Sequence, residues 1–301
     1  MNGQPFPKES RIAFVGSGTV GKTLAVALNR LGYPVVAASS RTFASAEALA
    51  GLVSGCVPYP TADEAASQAN MVFITTSDDA IQPVAESISW RAGQGVAHCS
   101  GAASVVELEP ARQSGALPGA FHPLQTFSSV DDALKALPGS TFGIEGGDEI
   151  RPYLEEMAVA LGGIPVFLRA EDKPLYHATV VMMGGLLSAL AGAVADSWTT
   201  FGIDRQQALN SLAPIVRGDA DTLVTVGIPM AIAGPFVRGD VGTVRKHLAA
   251  IQQQAPQLLA TYCHMALAGL PYAVEKGRIK DETVAEIQQL INEALKTVEN
   301  R

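Results

Sequence analysis

The sequence has few cysteines, few charged residues and no cluster of basic residues. Its three cysteines, Cys56, Cys99 and Cys263, lie far apart and form no CxxC pair. This pattern excludes a disulfide framework and is typical of a reducing compartment. We therefore expect ordinary buried thiols and a cytoplasmic protein, and the first ten residues contain no apolar run of the signal-peptide kind. The net charge of −8, without a run of Lys or Arg, predicts no nucleic-acid partner.

The sequence also lacks the short motifs of several enzyme classes. No Cys/His or Asp/His cluster has the spacing of a metal site, and His98 and His122 are too far apart in the sequence to indicate one. A serine nucleophile would need the GxSxG elbow, which is absent around Ser100. We therefore expect neither a bound metal nor hydrolysis.

Long hydrophobic runs are rare, and a single one stands out between Ala178 and Ala195. It carries no charge and is long enough for a membrane helix to be considered. It is rich in Gly and Ala, however, and has neither flanking aromatic belts nor basic residues. We expect a central helix that is buried on all sides and no membrane partner, with a membrane helix as the alternative.

Glycine is abundant, and its most informative placement is the stretch RIAFVGSGTVG. An apolar strand pattern, Ile12 to Val15, ends in three glycines, a helical pattern follows, and a second apolar run begins at Val35. In such a βαβ unit the glycines permit a sharp turn, close approach of a pyrophosphate and tight packing of helix on strand. The helix N-terminus then offers free N–H groups to the phosphates. We predict a dinucleotide site at Gly16, Ser17, Gly18, Thr19, Val20 and Gly21; the alternative is a turn that needs small residues and binds no nucleotide.

The end of the second strand indicates which dinucleotide is bound. Where an NAD-specific protein usually carries an acidic residue, this chain has Ser39, Ser40 and Arg41. Small hydroxyls and a guanidinium suit a 2′-phosphate, which Arg can bind through two parallel hydrogen bonds. The predicted cofactor is therefore NADP, although Arg41 could instead be a solvated loop residue.

The alternation of strand and helix patterns predicts an α/β fold with a doubly wound, mostly parallel Rossmann sheet over residues 1–168. Only helical patterns follow in residues 169–301. We expect helices over Pro174 to Phe201, Arg205 to Val216, Val241 to Ala268 and Asp281 to Val298. The helical half has more apolar residues than its size requires, so we expect it to form a homodimer.

Three predicted strand-end loops carry polar residues that could surround a nicotinamide and a small-molecule substrate. In open α/β sheets, ligands bind at the carboxyl ends of the strands. We assign cofactor contacts to Thr75, Thr76, Ser77, His98, Ser100 and Gly101, and substrate contacts to His122 and Gln125.

The helical half supplies further candidates. Lys173 and His177 are four residues apart, so they share one face of a helix and could protonate a carbonyl or imine. We assign them as catalytic; the alternative is a capping Lys and a core His. Arg238 and Asp240 belong to a polar turn that opens a helix, a plausible anion site for substrate. The alternative there is a helix cap with an internal Arg–Asp pair.

Several motifs occur in a recognisable order: SRT, ITTSDDAI, HCSGA, FHPLQTF, FGIEG, KPLYHA and GPFVRGDVGTVRKHL. Together they resemble a family of inferred NADP oxidoreductases with a Rossmann-like N-terminal domain and a helical C-terminal domain of unassigned function. The two-domain plan is similar to pyrroline-5-carboxylate reductase and to the 6-phosphogluconate dehydrogenase-like superfamily. The GPFVRGD turn resembles the loop that closes over substrate in pyrroline-5-carboxylate reductase.

Some family members resemble ketopantoate reductase, which uses a Lys near the start of the first C-terminal helix. Lys173 matches that position, while His177 and Val181 stand where ketopantoate reductases carry Asn. The resemblance implies an NADP-dependent reductase of a small 2-oxo acid, ketopantoate above all, or of a cyclic imine. The alternative is a catalytically silent NADP(H)-binding redox sensor.

Overall fold

The computed structural model describes residues 6–299, which form two compact units. The first extends to Gly184 and the second begins at Gly185; each is described by itself. The sequence places the boundary between residues 168 and 169, whereas the first unit also includes residues 169–184. Lys173 and Tyr176 explain the difference, because their side chains bond to Ser100 and His122 of the first unit.

The first unit is built on a sheet of eight strands in the order β3-β2-β1-β4-β5-β6-β7-β8. The pairs are parallel except for β6 with β7, which are antiparallel. The sheet is thus mostly parallel, as predicted. The strands are β1 Ile12–Val15, β2 Val35–Ser39, β3 Val57–Pro58, β4 Met71–Ile74, β5 Gly95–His98, β6 Leu117–Leu124, β7 Thr141–Gly146 and β8 Ile164–Phe167.

Strand β6 is longer than the sequence predicts. His122 was expected in a strand-end loop, but it lies inside β6, opposite Gly143 of β7. The antiparallel partner provides the reason, since β7 pairs with β6 along its whole length up to Leu124 opposite Thr141. The last part of β6 therefore extends beyond the end of β5, where His98 lies opposite Ala120.

Helices cover both faces of the sheet and enclose two apolar clusters. One face contains stacked rings, with Phe121 between Phe73 and Phe142, and the other is rich in Ala, Val and Ile. The helices of this unit are α1 Thr19–Arg30, α2 Phe43–Ala50, α3 Ala62–Ser67, α4 Ile81–Glu86, α5 Glu109–Gln113, α6 Val130–Ala136, α7 Arg151–Ala160 and α8 Lys173–Val181.

The second unit is helical, and the described residues after β8 contain no strand. A π-helical turn, Met182–Leu186, follows α8, so the predicted long helix is interrupted. The predicted helix over Val241 to Ala268 is wrong, because the chain breaks at Pro256, whose ring removes a backbone N–H. The helices are α9 Leu187–Ser197, α10 Arg205–Thr225, α11 Pro235–Arg238, α12 Val241–Gln254, α13 Leu259–Glu275 and α14 Asp281–Glu299.

The long hydrophobic run is exposed in this chain, contrary to the expectation of a helix buried on all sides. The helical segment Ala170–Phe201 is long and apolar enough to cross a membrane, judged by length and composition only. Only 6% of its most apolar window is buried. Met182, Met183 and Leu186 are all exposed.

The cysteines are less buried than expected. Cys263 is buried, while Cys56 and Cys99 are partly exposed. Burial of the sulfur still raises the pKa of Cys56 to about 11 and that of Cys99 to about 12. These thiols are therefore protonated at neutral pH and are weak nucleophiles.

Candidate functional site

The glycine loop between β1 and α1 has the geometry of a dinucleotide turn. Gly16 has a φ of +106°, and a Cβ there would lie 2.7 Å from the backbone carbon of Thr75. A Cβ on Gly21 would lie 2.5 Å from the carbonyl oxygen of Gly16. Gly16 is therefore required for the turn and Gly21 for the packing of α1 on the sheet.

Gly18 is required by neither the turn nor the packing. No atom lies within 4 Å of the position that its Cβ would occupy, and its φ of −71° suits any residue. It is the N-cap of the twelve-residue helix α1, no side chain caps the first N–H groups, and Gly16, Ser17 and Gly18 line a cavity. An open cradle at a helix N-terminus fits a pyrophosphate, which is the role that a glycine at this position serves.

Unpaired hydroxyls line the same region. The side-chain oxygens of Ser17, Ser39 and Thr76 are buried and have no hydrogen-bond partner among the described residues. Buried polar atoms are normally paired, and Ser17 and Thr76 also line a cavity, so their hydroxyls are available to a bound ligand. Together with the glycine cradle, they show that the residues present fit a dinucleotide.

A cavity of about 290 Å³ extends from this loop to the end of β2. It is lined by Ser40 and Arg41 on one side and by Thr75, Thr76 and Ser77 on the other. Arg41 is exposed and forms no ion pair with any described residue. The guanidinium is thus free to bind an anion at the place where the sequence analysis put the 2′-phosphate.

Thr75 has a structural role beside this cavity. Its hydroxyl donates a 2.7 Å hydrogen bond to the carbonyl oxygen of Gly16, which fixes the glycine loop against the end of β4. Ser77 precedes a short 3-10 helix, Asp78–Ala80. The predicted residues Thr75, Thr76 and Ser77 therefore line the same cavity as the glycine loop.

His98 lies in the interior of the first unit and does not line a surface, contrary to its predicted contact with the nicotinamide. Its Nδ1 accepts a hydrogen bond from the backbone N–H of Ser100, at 3.2 Å, so the ring proton is on Nε2. Nε2 then donates to the carbonyl oxygen of Ser104, at 3.1 Å. Burial, and secondarily the ammonium of Lys173, lowers the pKa of His98 to about 3. The imidazole is neutral and spans the loop that follows β5.

Lys173 is also buried, although the sequence analysis placed it facing the substrate. Its side chain is 1% exposed, and Nζ donates to the carbonyl oxygen of Ser100 at 3.1 Å. Nζ lies 3.8 Å from a carboxylate oxygen of Glu145. Burial lowers the pKa of Lys173 to about 8, and Glu145 partly offsets this effect. The ammonium therefore interacts with the protein interior rather than with an open surface.

The half-buried polar side chains of this site are His122, Tyr176 and His177. A 3.0 Å hydrogen bond joins Nδ1 of His122 to the hydroxyl of Tyr176, and the ring of His177 packs edge-on against His122. Burial, followed by the charge of Lys173, lowers the pKa of His122 to about 4. Burial raises the pKa of Tyr176 to about 12, so its phenol remains protonated.

Two glycines make room for these three rings. A Cβ on Gly101 would lie 2.6 Å from Cδ2 of His177 and 2.8 Å from Cε1 of His122. A Cβ on Gly143 would lie 2.9 Å from the hydroxyl of Tyr176. The predicted residues Gly101, His122 and His177 are therefore brought together from the loop after β5, from β6 and from α8.

Gln125 is held by the protein rather than left free for a substrate. Its amide donates to the carbonyl oxygen of Ala136 and to the hydroxyl of Ser140, both at 3.1 Å. It nevertheless lines a cavity of about 490 Å³ that lies along α8. The other lining residues are Leu124, Thr126, Thr179, Val180, Met183 and Gly184.

Arg238 and Asp240 belong to the second unit. Asp240 caps α12, because its carboxylate accepts hydrogen bonds from the backbone N–H and the hydroxyl of Thr243. These bonds and the neighbouring positive charge of Arg238 lower the pKa of Asp240. The helix-cap alternative is thus present, and the carboxylate occupies the position that an anion would need.

The sequence did not predict roles for Glu145 and Tyr176, or the hydrogen bond from Ser104 to Glu145. The hydroxyl of Ser104 donates to Glu145 at 2.9 Å and also accepts from the backbone N–H of Val106, so Ser104 caps the turn that follows it. One signal was available, since Glu145 is an acidic residue within the apolar strand pattern Thr141 to Gly146. A carboxylate on a strand buried on both sides needs a partner, and Lys173 is that partner.

Comparison with protein families agrees with this description. Residues 4–123 match a Rossmann-like domain, and residues 140–268 match a domain of unknown function, DUF2520. No curated protein matches the sequence.

Solved structures with a similar fold include several reductases. An inferred NADP oxidoreductase from Bacteroides fragilis has a TM-score of 0.68 at 21% identity, over 88% of this chain and 99% of that one. A reductive aminase from Aspergillus terreus, in complex with NADPH and ethyl-5-oxohexanoate, has a TM-score of 0.61 at 17% identity over 96% and 94%. The 1-pyrroline-5-carboxylate reductase of Streptococcus pyogenes has a TM-score of 0.58 at 14% identity over 96% and 99%.

At these identities the likeness establishes the fold. The match of residues 4–123 to a Rossmann-like domain, followed by that of residues 140–268 to DUF2520, agrees with the predicted order of a Rossmann domain and a domain of unassigned function.

Proposed function

We propose that this protein is an NADP-dependent oxidoreductase that reduces a small carbonyl compound or imine. The observation that carries the proposal is a juxtaposition within the first unit. The ends of β1, β2 and β4 form a dinucleotide cradle with a free guanidinium. The loop after β5, the strand next to β4, packs through Gly101 against a half-buried group of His122, Tyr176 and His177. A redox cofactor and a proton source are the two components that such a reduction requires.

The dinucleotide would be held by the glycine loop and the end of β2. The pyrophosphate fits over Gly18 at the start of α1, and the 2′-phosphate fits Ser39, Ser40 and Arg41. NADPH, when bound, supplies a hydride. The reductive aminase from Aspergillus terreus, of similar fold, was solved with NADPH, which supports this choice of cofactor.

The chain's own part in the chemistry is to supply a proton. Tyr176 is suited to this, because its phenol is protonated, half-buried and oriented by His122. A donor that interacts with the developing negative charge stabilises the transition state more than the ground state. His177, predicted to be catalytic, lies in the same group, whereas Lys173 lies behind the Ser100 backbone.

We further propose a small 2-oxo acid, ketopantoate-like, or a cyclic imine as substrate. The ketopantoate option rests on the resemblance of Lys173 to the lysine of ketopantoate reductases. The imine option is supported by the reductive aminase and pyrroline-5-carboxylate reductase of similar fold. The cavity along α8, lined mainly by apolar side chains and the polar groups of Gln125, Thr126 and Thr179, has room for either.

The test is NADPH oxidation, followed at 340 nm, against a panel of 2-oxo acids and cyclic imines. With an active substrate, Tyr176→Phe and His177→Gln should each lower kcat by about 10²–10³-fold, the usual cost of losing one such donor. The Kd for NADPH should stay within about threefold, because the effect is confined to the chemical step. Tyr272→Phe, at an exposed tyrosine of the second unit, is the matched control.

Two outcomes would contradict the proposal. Full activity of both variants would exclude their group as the proton source. Tight NADPH binding with no oxidation by any member of the panel would favour the alternative, a catalytically silent NADP(H)-binding redox sensor.

We also propose that the protein is a cytoplasmic homodimer joined through its helical domain. Helix α10 supports this, because only one of its 21 residues, Ala208, is buried in the chain. Most helical stability comes from packing an apolar face, so a helix this exposed needs a partner.

A further inference from the structure

Two buried charges lie behind the candidate site, and the proton transfer proposed above does not use them. Among the side chains that the structure describes, Glu145 and Lys173 are the only buried carboxylate and the only buried ammonium. Glu145 is on β7, and Lys173 is the first residue of α8. Removing two charges from water is costly, and a buried ion pair is weak evidence of added stability. The pair therefore calls for an explanation other than stability.

Both charged groups bind the loop that follows β5. Oε1 of Glu145 accepts from the hydroxyl of Ser104 at 2.9 Å, and Oε2 accepts from the backbone N–H of Val105 at 3.2 Å. Lys173 donates to the carbonyl oxygen of Ser100 at 3.1 Å. The loop is thus held at its two ends by opposite charges, which are themselves 3.8 Å apart.

The buried imidazole of His98 also joins the two ends of this loop. It accepts from the N–H of Ser100 and donates to the carbonyl oxygen of Ser104. The hydroxyl of Ser100 in turn accepts from the N–H groups of Ala102 and Ala103. Hydrogen bonds to buried groups, or within the loop, therefore hold the backbone at Ser100 and from Ala102 to Val105.

The position of this loop determines the position of the candidate catalytic rings. Gly101, in the middle of the loop, leaves no room for a Cβ between itself and the rings of His122 and His177. A displacement of the loop would therefore move or release both imidazoles. His122 in turn orients the hydroxyl of Tyr176.

We propose that Glu145 and Lys173 are positioning residues, a buried charge clamp that fixes the 100–105 loop and, through Gly101, the His122–Tyr176–His177 group. The inference rests on the proposed function for its kinetic consequence, but the clamp itself is a property of the fold. It assigns Lys173 a role other than the direct proton donation expected from the sequence.

The test removes both charges at once. In Glu145→Gln/Lys173→Met the side chains keep their approximate length, and neither charge is left buried without its partner. Replacing a buried ion pair in this way is often tolerated, so we expect a folded protein with Tm within a few degrees of the wild type. Glu109→Gln/Arg112→Met, at an exposed ion pair, is the matched control.

Hydrogen exchange provides the readout that needs no substrate. The amides of Ala102, Ala103 and Val105 should exchange at least tenfold faster in the clamp variant, while amides of β1 and β4 keep their wild-type rates. The Kd for NADPH should stay within about threefold, because the glycine loop and Arg41 are untouched. Unchanged exchange at the three loop amides, in a folded variant, would overturn the clamp.

Kinetics distinguishes failure of the clamp from failure of the proposed function. With an active substrate, we expect kcat to fall at least tenfold in the clamp variant, with the KM for NADPH near that of the wild type. A wild-type kcat in a folded clamp variant would overturn the positioning role, but it would not affect the proposal that the protein is a reductase. If no compound of the panel supports NADPH oxidation by the wild type, the proposed function fails. The hydrogen-exchange measurement still tests the clamp in that case. If the double variant does not fold, Lys173→Arg, which keeps the charge, should show intermediate loop exchange, and wild-type exchange there would overturn the proposal.

Discussion

At the scale of single residues, Arg41 determines the choice between NADP and NAD in our proposal. A hydrogen bond to a charged group contributes about 1.5–3 kcal/mol, so Arg41→Ala should weaken NADPH binding about tenfold or more. NADH has no 2′-phosphate, and its affinity should not change. Titration of the variant with both cofactors measures this, with Arg30→Ala, at an exposed arginine ending α1, as the control. An equal loss for both cofactors, or none for NADPH, would refute the assignment.

Alanine substitutions at two glycines of the same loop should have different effects, one on NADPH affinity and the other on stability. Gly18→Ala meets no atom within 4 Å, so its Tm should match the wild type, while NADPH binding falls at least tenfold because the Cβ occupies the pyrophosphate cradle. Gly21→Ala places a Cβ 2.5 Å from the Gly16 carbonyl oxygen, and such overpacking costs about 1–3 kcal/mol of stability. Thermal unfolding and a binding titration separate the two effects. Wild-type NADPH affinity in Gly18→Ala would place the pyrophosphate elsewhere.

At the scale of elements, the loop after β5 and the end of β6 should make stability depend on pH. His98 and His122 have pKa values near 3 and 4 in the folded chain, well below the ordinary value of 6.5. Below about pH 6.5 the unfolded chain takes up protons that the folded chain excludes. The free energy of unfolding should therefore fall by up to about 1.4 kcal/mol per pH unit for each imidazole, from about pH 6.5 towards 4.

Urea unfolding between pH 7.5 and 4.5 measures this dependence. His98→Gln, which can keep a donor and an acceptor at the loop, should reduce the slope by about one proton. His264→Gln replaces an exposed imidazole and serves as the control. A slope that is the same in wild type and His98→Gln would show that His98 is not held neutral.

At the scale of the whole molecule, the exposed apolar helices predict self-association. Helix α10 carries Ile215 and Val224 on its surface, the latter 87% exposed. Val216 and Leu223 of the same helix are exposed as well, and a stable interface buries about 1,200–2,000 Å². Light scattering after size exclusion should give twice the 31.3 kDa mass of one chain. Ile215→Glu/Val224→Glu should give the single mass, and Gln206→Glu, on the same helix, should remain dimeric.

A wild-type protein that is monomeric at micromolar concentration would refute the dimer. A protein that stays in the membrane fraction until detergent is added would instead favour the membrane-helix alternative for the segment Ala170–Phe201.

Features of this protein that depend on neighbours along the chain could be predicted from the sequence. The glycine loop, the strand after it and the residues at the end of β2 form one local βαβ unit, and β1 has the bounds that its pattern predicts. Periodicity likewise predicted the change from a sheet to helices. Such features need only local backbone geometry and the alternation of apolar residues.

Which polar residues face outward and which face one another depends on packing between distant parts of the chain. The sequence does not distinguish Lys173 and His98 from exposed site residues. Both are buried, because Glu145 and the Ser100–Val105 backbone provide their partners. The antiparallel pairing of β6 with β7 set Glu145 and His122 in place, and Tyr176 reaches His122 across 54 positions of the chain. Burial and partner choice at such separations are products of packing, and no local pattern encodes them.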